Sequence, residues 1–465
     1  MQRAAIIAWI AACVLGLAAW ALLKAKNPPK PVAPPRVWMS AADQSSVAAI
    51  KVQFSPTSSA TVRRLDDSGL FIIDLGGSGG SFLAREDQVR GALRLLAELD
   101  SLPAADGDTQ SLDGTTVTIV AGEERSVEIS RFMVGGGTPV RIPDPRSPRT
   151  VIAGGALANV FTSEGMRAWR DDSLISFAPG EPAAVRVDQG ARAVELQRSR
   201  NRWGMMFPVP EPAEAEICQG LVRHLASIQT RTSPRNPVEV ETFSPVLVVT
   251  VETPIRSADR TRVLRQTVKL YESAADTLMG VARATWLENG AERQAWGPTS
   301  IDVRIADVAD ITAEAGPYLS RVASQVVSAD VQEVRVGEIG VASDRWRAEF
   351  VRSLDGWTMG RGPAAKALLP ADADGLKALL SLLCDTRAGA ATLSPPANAK
   401  PFGRAALMLG GLEAESLEFL LGSVPLTSGQ TEVLIVRSRK VSRVYPAGEF
   451  QPVIDWLKDK TTPEG

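Results

Sequence analysis

Hydrophobic and polar positions repeat along this chain in a pattern stated three times. Each copy has a strand-like run carrying basic residues, an aromatic strand, a Gly- or Pro-rich turn and an amphipathic helix. The copies occupy 69–102, 202–228 and 356–387. Alternation of apolar and polar residues predicts strands with one buried face: first strands ending at Val52, Val187 and Val336, then second strands ATVRRL (60–65), AVELQRS (193–199) and WRAEFVRS (346–353). Aromatic strands follow around Phe71, Trp203 and Trp357. Helical spacing links Val89, Leu93, Leu96 and Leu99, then Ile217, Leu221, Leu225 and Ile228, then Leu376, Leu379, Leu380 and Leu383. Asp372 is the expected N-cap of the third helix.

Further strand candidates lie beyond each helix: TTVTIVAG and RSVEIS, PVLVVTVET and RQTVKLYES, AALMLGG and SLEFLLG, and the basic run TEVLIVRSRKVSRVY at 431–445. A last helix sets Phe450, Val453, Ile454 and Leu457 on one face. The expected fold class is α+β: an N-terminal transmembrane helix, then three repeated small modules, each a mostly antiparallel sheet with one or two packed helices. The modules are expected at 37–165, 166–315 and 316–460.

Residues 4–23 form an uncharged apolar run within a predicted anchor at 1–26. Twenty helical residues span about 30 Å, the thickness of a bilayer core. A cleaved signal peptide would have a shorter apolar core and a small-x-small exit, whereas Leu22, Leu23 and Lys24 stand there; an uncleaved anchor is favoured. The Pro-rich run 27–36 reads as an extended linker. Arg3 precedes the apolar run, while Lys24, Lys26, Lys30 and Arg36 follow it. That count alone places the body in the cytoplasm. An anchor acting as an export signal would place it on the other side.

The 465 residues are 45% hydrophobic and 22% charged, a globular composition too long for one ordinary core. Of 51 Lys and Arg, five lie in the first 36 residues, so the rest carries 46 against 53 Asp and Glu. Nucleic acid is therefore not an expected partner. Cys13 lies in the apolar run. Cys218 and Cys384 lie on separate predicted helices, where two free thiols are favoured and a disulfide stays open. His224 is the chain's one histidine.

The N-terminal anchor, the recurring strand-turn-helix units with Trp203 or Trp357, and the module start WRDDSLISF at 169–177 resemble the DUF4340 family of bacterial envelope proteins. The resemblance spans most of 37–460, and the first copy departs from it with Phe71 in place of Trp. Family membership implies an auxiliary component of ABC-type export or gliding-motility transport systems, with its repeats outside the cytoplasmic membrane. The expected location is thus a single-pass inner-membrane protein with a periplasmic body. The resemblance supplies no catalytic residues.

Several site motifs reduce to architecture when the copies are compared. GGSGG at 76–80 matches a nucleophile elbow with Ser78. The equivalent turns of the other copies differ, however, so it reads as a variable connection in which Gly serves flexibility. His224 reads as a flanking helix position. Asp106 and Asp108 open a loop with Ser111 and Val117 where a calcium hand needs Gly and Glu. Arg437, Arg439, Lys440 and Arg443 read as the polar face of an edge strand, and could alternatively contact lipid or an acidic partner. Trp203 and Trp357 read as core anchors. No catalytic, metal or cofactor residue is assigned. The expected function is a non-enzymatic, membrane-anchored scaffold or accessory of an ABC-type transport complex; the alternative is an envelope module binding glycan, peptide or lipid.

Overall fold

The computed structural model describes residues 38–65, 68–76, 80–105, 112–143, 148–176, 180–257, 260–273, 276–339, 346–426 and 429–462. Three antiparallel sheets of eight or nine strands, with few helices, make the described chain α+β and mostly β, as three repeated modules require. The predicted anchor at 4–23 lies outside the described residues. Among those described, no helix is long and apolar enough to cross a membrane.

The first sheet holds β1 Ala49–Ser55, β2 Ser58–Leu65, β3 Leu70–Asp74, β4 Ser81–Leu83, β5 Gly114–Ala121, β6 Glu123–Ser130, β7 Gly137–Ile142 and β8 Arg149–Gly154. The second holds β9 Ala184–Gln189, β10 Arg192–Ser199, β11 Arg202–Phe207, β12 Glu211–Pro212, β13 Arg231–Thr232, β14 Leu247–Ser257, β15 Arg260–Glu272, β16 Thr277–Glu288 and β17 Ala291–Arg304. The third holds β18 Glu333–Gly337, β19 Ala348–Ser353, β20 Gly356–Met359, β21 Lys366–Ala367, β22 Ala390–Thr392, β23 Lys400–Leu409, β24 Leu412–Leu426, β25 Gly429–Ser438 and β26 Val441–Pro446.

The strand orders are β4-β3-β2-β1-β5-β6-β7-β8, β12-β11-β10-β9-β14-β15-β16-β17-β13 and β21-β20-β19-β18-β23-β24-β25-β26-β22. They are one topology. Four strands step outward to one edge, a helix returns the chain to the far edge, and four more strands step outward from the centre. The helices are α1 Glu86–Glu98, α2 Ala215–Ser227 and α3 Pro370–Cys384. In the first sheet a single bridge, Ala104 to Val151, stands where β13 and β22 stand in the others.

By contact the chain divides into two units, one drawn from 1–59 with 87–166 and the other from 60–86 with 167–465. In the former, Ile50, Val52, Val117, Ile119, Val127 and Ile129 are the buried alternate positions of β1, β5 and β6, and α1 buries Val89, Leu93 and Leu96. Asp100 accepts the backbone N–H groups of Trp38 and Met39 at 2.8 and 2.9 Å and pairs with Arg149 at 2.8 Å, which fixes the start of the described chain.

In the larger unit the aromatic strand has a repeated partner. Arg64 stands opposite Phe71, Arg198 opposite Trp203 and Arg352 opposite Trp357. The Arg64 guanidinium lies 5.5 Å from the Phe71 ring and that of Arg352 lies 4.9 Å from Trp357. Such cation–π contacts account for the arginine in the second strand of the first and third copies, while Arg198 of the second copy pairs with Glu181. Trp203 is buried, as expected of a core anchor, and Trp357 is half-buried against the third core.

The third core joins Val334, Phe350, Leu407, Phe419, Leu434 and Val436 of the sheet to Leu376, Leu379, Leu380 and Leu383 of α3. The last helix, α4 Gln451–Thr461, adds Val453, Ile454 and Leu457. Each such side chain contributes about 1.5–3 kcal/mol on burial. Two expectations need correction. Ile217 is 40% exposed and Cys218, one residue on, faces inward, because the stripe of α2 is rotated by one position. Asp372 is not an N-cap: α3 begins at Pro370 after Leu369, which makes no side-chain cap. Asp372 instead lies buried in the first turn, pairing with Lys460 of α4 at 2.8 Å and accepting from Trp456 Nε1 at 3.2 Å.

Successive copies are also joined by a repeated backbone junction. Asp171 N–H donates to Leu83 O at 2.9 Å and Arg85 N–H to Trp169 O at 2.7 Å. One copy later, Ser320 N–H donates to Pro212 O at 3.0 Å and Glu214 N–H to Tyr318 O at 2.8 Å. From the other side, Thr230 N–H donates to Asp172 O and Ala388 N–H to Arg321 O. The opening segment of each later copy is thus held between the edge strand before it and its own post-helix segment. Gly80, at φ +69°, belongs to the first junction. A Cβ there would meet the Thr299 side chain at 2.5 Å, so close approach and backbone conformation demand this glycine, where flexibility was expected.

Two outcomes test the α3–α4 packing. A Cβ on Gly375 would lie 2.5 Å from the Trp456 ring, so Gly375→Ala should lower unfolding stability by about 1–3 kcal/mol in denaturant titration, against its helix propensity. A neutral or stabilising effect would refute this contact. Burial alone would raise the Asp372 carboxyl pKa, but hydrogen bonds from Lys460 and Trp456 hold it below the usual value. The stabilisation is therefore present above the ordinary carboxylate range and lost as pH falls through the lowered folded value. Asp372→Asn should flatten that acid limb; an unchanged profile would contradict the assignment.

Candidate functional site: the second junction

The two junctions share a backbone frame but differ in what fills them. Phe71, Trp203 and Trp357 align the copies. Two residues on, Ile73 pairs with Phe82, Met205 with Glu211 and Met359 with Lys366. One structural position therefore carries Phe at the first junction, Glu at the second and Lys in the third copy. Lys366 is exposed, while Phe82 and Glu211 are 6% and 7% exposed.

At the first junction the Phe82 ring lies 3.9 Å from the guanidinium of Arg170. Arg170 is itself buried and donates to Thr230 Oγ1 at 3.0 Å. A small cavity of about 30 Å³ borders Phe82, Leu83, Asp171 and Gln266. At the second junction a cavity of about 360 Å³ stands open, bordered by Glu211, Val326, Leu409, Glu415, Arg439 and Arg443. A neighbouring hollow of about 400 Å³ is bordered by Glu214, Ser320, Cys384 and Arg387.

Arg443 corrects the edge-strand expectation for 437–445. Strand β26 is covered by β22, and the pairings Thr232–Ile301 and Ala390–Val444 set Arg443 where Ser300 stands one copy earlier. Its side chain is 1% exposed, with Nε donating to Ser320 O at 3.0 Å and Nη1 to Ser438 Oγ at 2.8 Å. Arg437 pairs with Glu418 at 3.5 Å, and Arg439 sits in the β25–β26 turn at φ 53°.

Glu211 makes no side-chain hydrogen bond or ion pair with any described residue. Burial pushes its carboxyl pKa up, opposed by the charges of Arg439 and Arg443 and reinforced by Glu415. Burial likewise disfavours the charged form of Arg443. Each polar group is thus held close to a counter-charge without being saturated by it, which makes an opening of this kind a default binding-site candidate. Glu214, by contrast, is fully engaged: Oε1 accepts Arg321 N–H at 2.7 Å and Oε2 accepts Arg387 Nη2 at 2.5 Å.

The other sequence candidates do not converge here. Ser78, Asp106, Asp108 and Ser111 lie outside the described residues, and Val117 is a buried residue of β5. His224 is half-buried on α2, its carbonyl accepting from Ser227 Oγ at 2.8 Å. Cys218 and Cys384 are free thiols, pushed up by burial to about 12 and about 11, which keeps them protonated. Among the described residues no group of three or more His, Cys, Asp or Glu is placed to hold a metal.

Glu211 escaped sequence reasoning for a definite reason, whereas Arg443 is named there, on a strand read as an edge. The turn before β4, β12 and β21 varies in length between copies, so their equivalence appears only once strand register is known. No family model matches the sequence, and no curated protein does. The likeness to DUF4340 rests on the motifs that carry it.

Glu214→Ala should destabilise the chain by about 1–2 kcal/mol, since it strands the half-buried backbone N–H of Arg321 at the junction. Equilibrium unfolding checks this, and a change within error would show that the junction does not depend on Glu214.

Proposed function

We propose that this chain is a non-enzymatic, membrane-anchored envelope protein whose DUF4340-like modules, at 37–165, 166–315 and 316–460, serve as an accessory or scaffold of an ABC-type transport complex. The observation that carries this reading is one sheet topology used three times. The shared positions fill cores and junctions, while the solvent faces differ. In β9, β14 and β15, for example, the face opposite the core carries cross-strand pairs such as Arg265–Glu252 at 2.7 Å. Half-buried surface pairs of this kind add modest stability, and the face they occupy can specify a partner. The apolar run 4–23 would anchor the body, and the family resemblance would place that body in the periplasm.

A second reading, an envelope module that binds a glycan, peptide or lipid, is favoured by the cavity at the second junction, where residues differ from those of the first. Affinity purification of the full chain in mild detergent separates the two. The scaffold reading expects co-recovery of ABC-type permease or ATPase subunits. Recovery of the protein alone, under conditions that preserve other membrane complexes, would count against it.

A further inference from the structure

We propose that the cavity at the second junction binds a compact zwitterion, a free α-amino acid or very short peptide, with its ammonium on Glu211 and its carboxylate on Arg439. This inference rests on reading the chain as a ligand-binding module. It starts from a comparison internal to the molecule: one structural position carries the apolar Phe82 at the first junction and Glu211, beside a cavity of about 360 Å³, at the second. Replacing an apolar plug by a carboxylate that is 7% exposed and has no side-chain hydrogen-bond partner is costly unless something pairs with it.

The surroundings define that partner. Arg443 is already committed through Nε and Nη1 to Ser320 and Ser438, and no ion pair joins it to Glu211. Glu415, half-buried on the same wall, and exposed Asp330 likewise make no ion pair with any described residue, so three carboxylates border the opening and are available to an ammonium. Arg439 is exposed at the rim and makes no ion pair with any described residue, leaving its guanidinium for a carboxylate. Val326 and Leu409 supply apolar wall for an aliphatic side chain. A ligand of one sign would leave one set of these groups unanswered. A zwitterion answers both.

Isothermal titration calorimetry on the full chain in mild detergent tests this. The probes are L-leucine, its amide, its N-acetyl derivative, dileucine, a malto-oligosaccharide and a lysophospholipid. L-Leucine or dileucine should bind, the tighter of the two identifying the source, while the amide and N-acetyl derivative bind at least about tenfold more weakly. Glu211→Gln and Arg439→Asn should each weaken binding by about tenfold or more. Arg439→Asn suits the left-handed turn position and guards against misfolding of the buried variant. Glu211→Phe, which copies the first junction, should abolish binding while the chain remains folded. Absence of binding by both leucine probes, or binding unchanged in Glu211→Gln and Arg439→Asn, overturns the inference. If the oligosaccharide or lysophospholipid binds instead, the zwitterion is wrong and the ligand-binding reading stands; if no probe binds, both fail.

Discussion

An edge strand cannot be left bare without exposing a row of unpaired backbone groups, and this constraint organises the larger unit. The short strands β4 and β12 end their sheets, and in each case the opening segment of the next copy supplies the missing partners. That segment is held from its other side by the post-helix strand of its own sheet. Each junction therefore ties three pieces of chain together, and neighbouring copies are fastened by backbone hydrogen bonds that do not depend on side-chain identity. The corresponding edge of the third sheet, β21, carries exposed Lys366.

Because backbone holds the junctions, their side chains can diverge. At the first junction Phe82 packs on the Arg170 guanidinium, and Leu65, Leu70, Ile72 and Leu83 share a core with Trp286 and Trp296. At the second, Glu211 and Arg443 bring opposite charges near one another and leave an opening. The frame tolerates the change because Asp171 and Ser320 make equivalent backbone contacts in both places. Divergence on a constant frame is how a repeated architecture acquires a site in one place without losing stability in the others.

Much of this architecture was legible in the hydrophobic pattern. The three copies, the Val-Arg-Val type first strands and the helix faces through Leu96, Leu225 and Leu379 all follow from spacing. What periodicity could not supply was direction within one residue and pairing at a distance. The stripe of α2 turns on Cys218, not Ile217, because the two are adjacent and both apolar. Asp372 looks like a cap because Asp near a helix start usually is one; its partners Lys460 and Trp456 lie far along the chain. Arg443 sits in a basic alternating run that describes a solvated edge, and only the covering strand β22 reveals that it is buried. The site was the least legible part, since the variable turns that exposed Ser78 as a weak candidate also hid the equivalence of Phe82, Glu211 and Lys366.

The most direct test of the repeated junction is residue-resolved amide hydrogen exchange on the full chain. Equivalent backbone bonds should protect the amides of Arg85, Asp171, Glu214 and Ser320 to a similar degree, comparable with the interior of β14 and β23. Exchange of these four amides at the rate of exposed turns such as 289–290 would contradict the account, leaving the copies linked by chain alone.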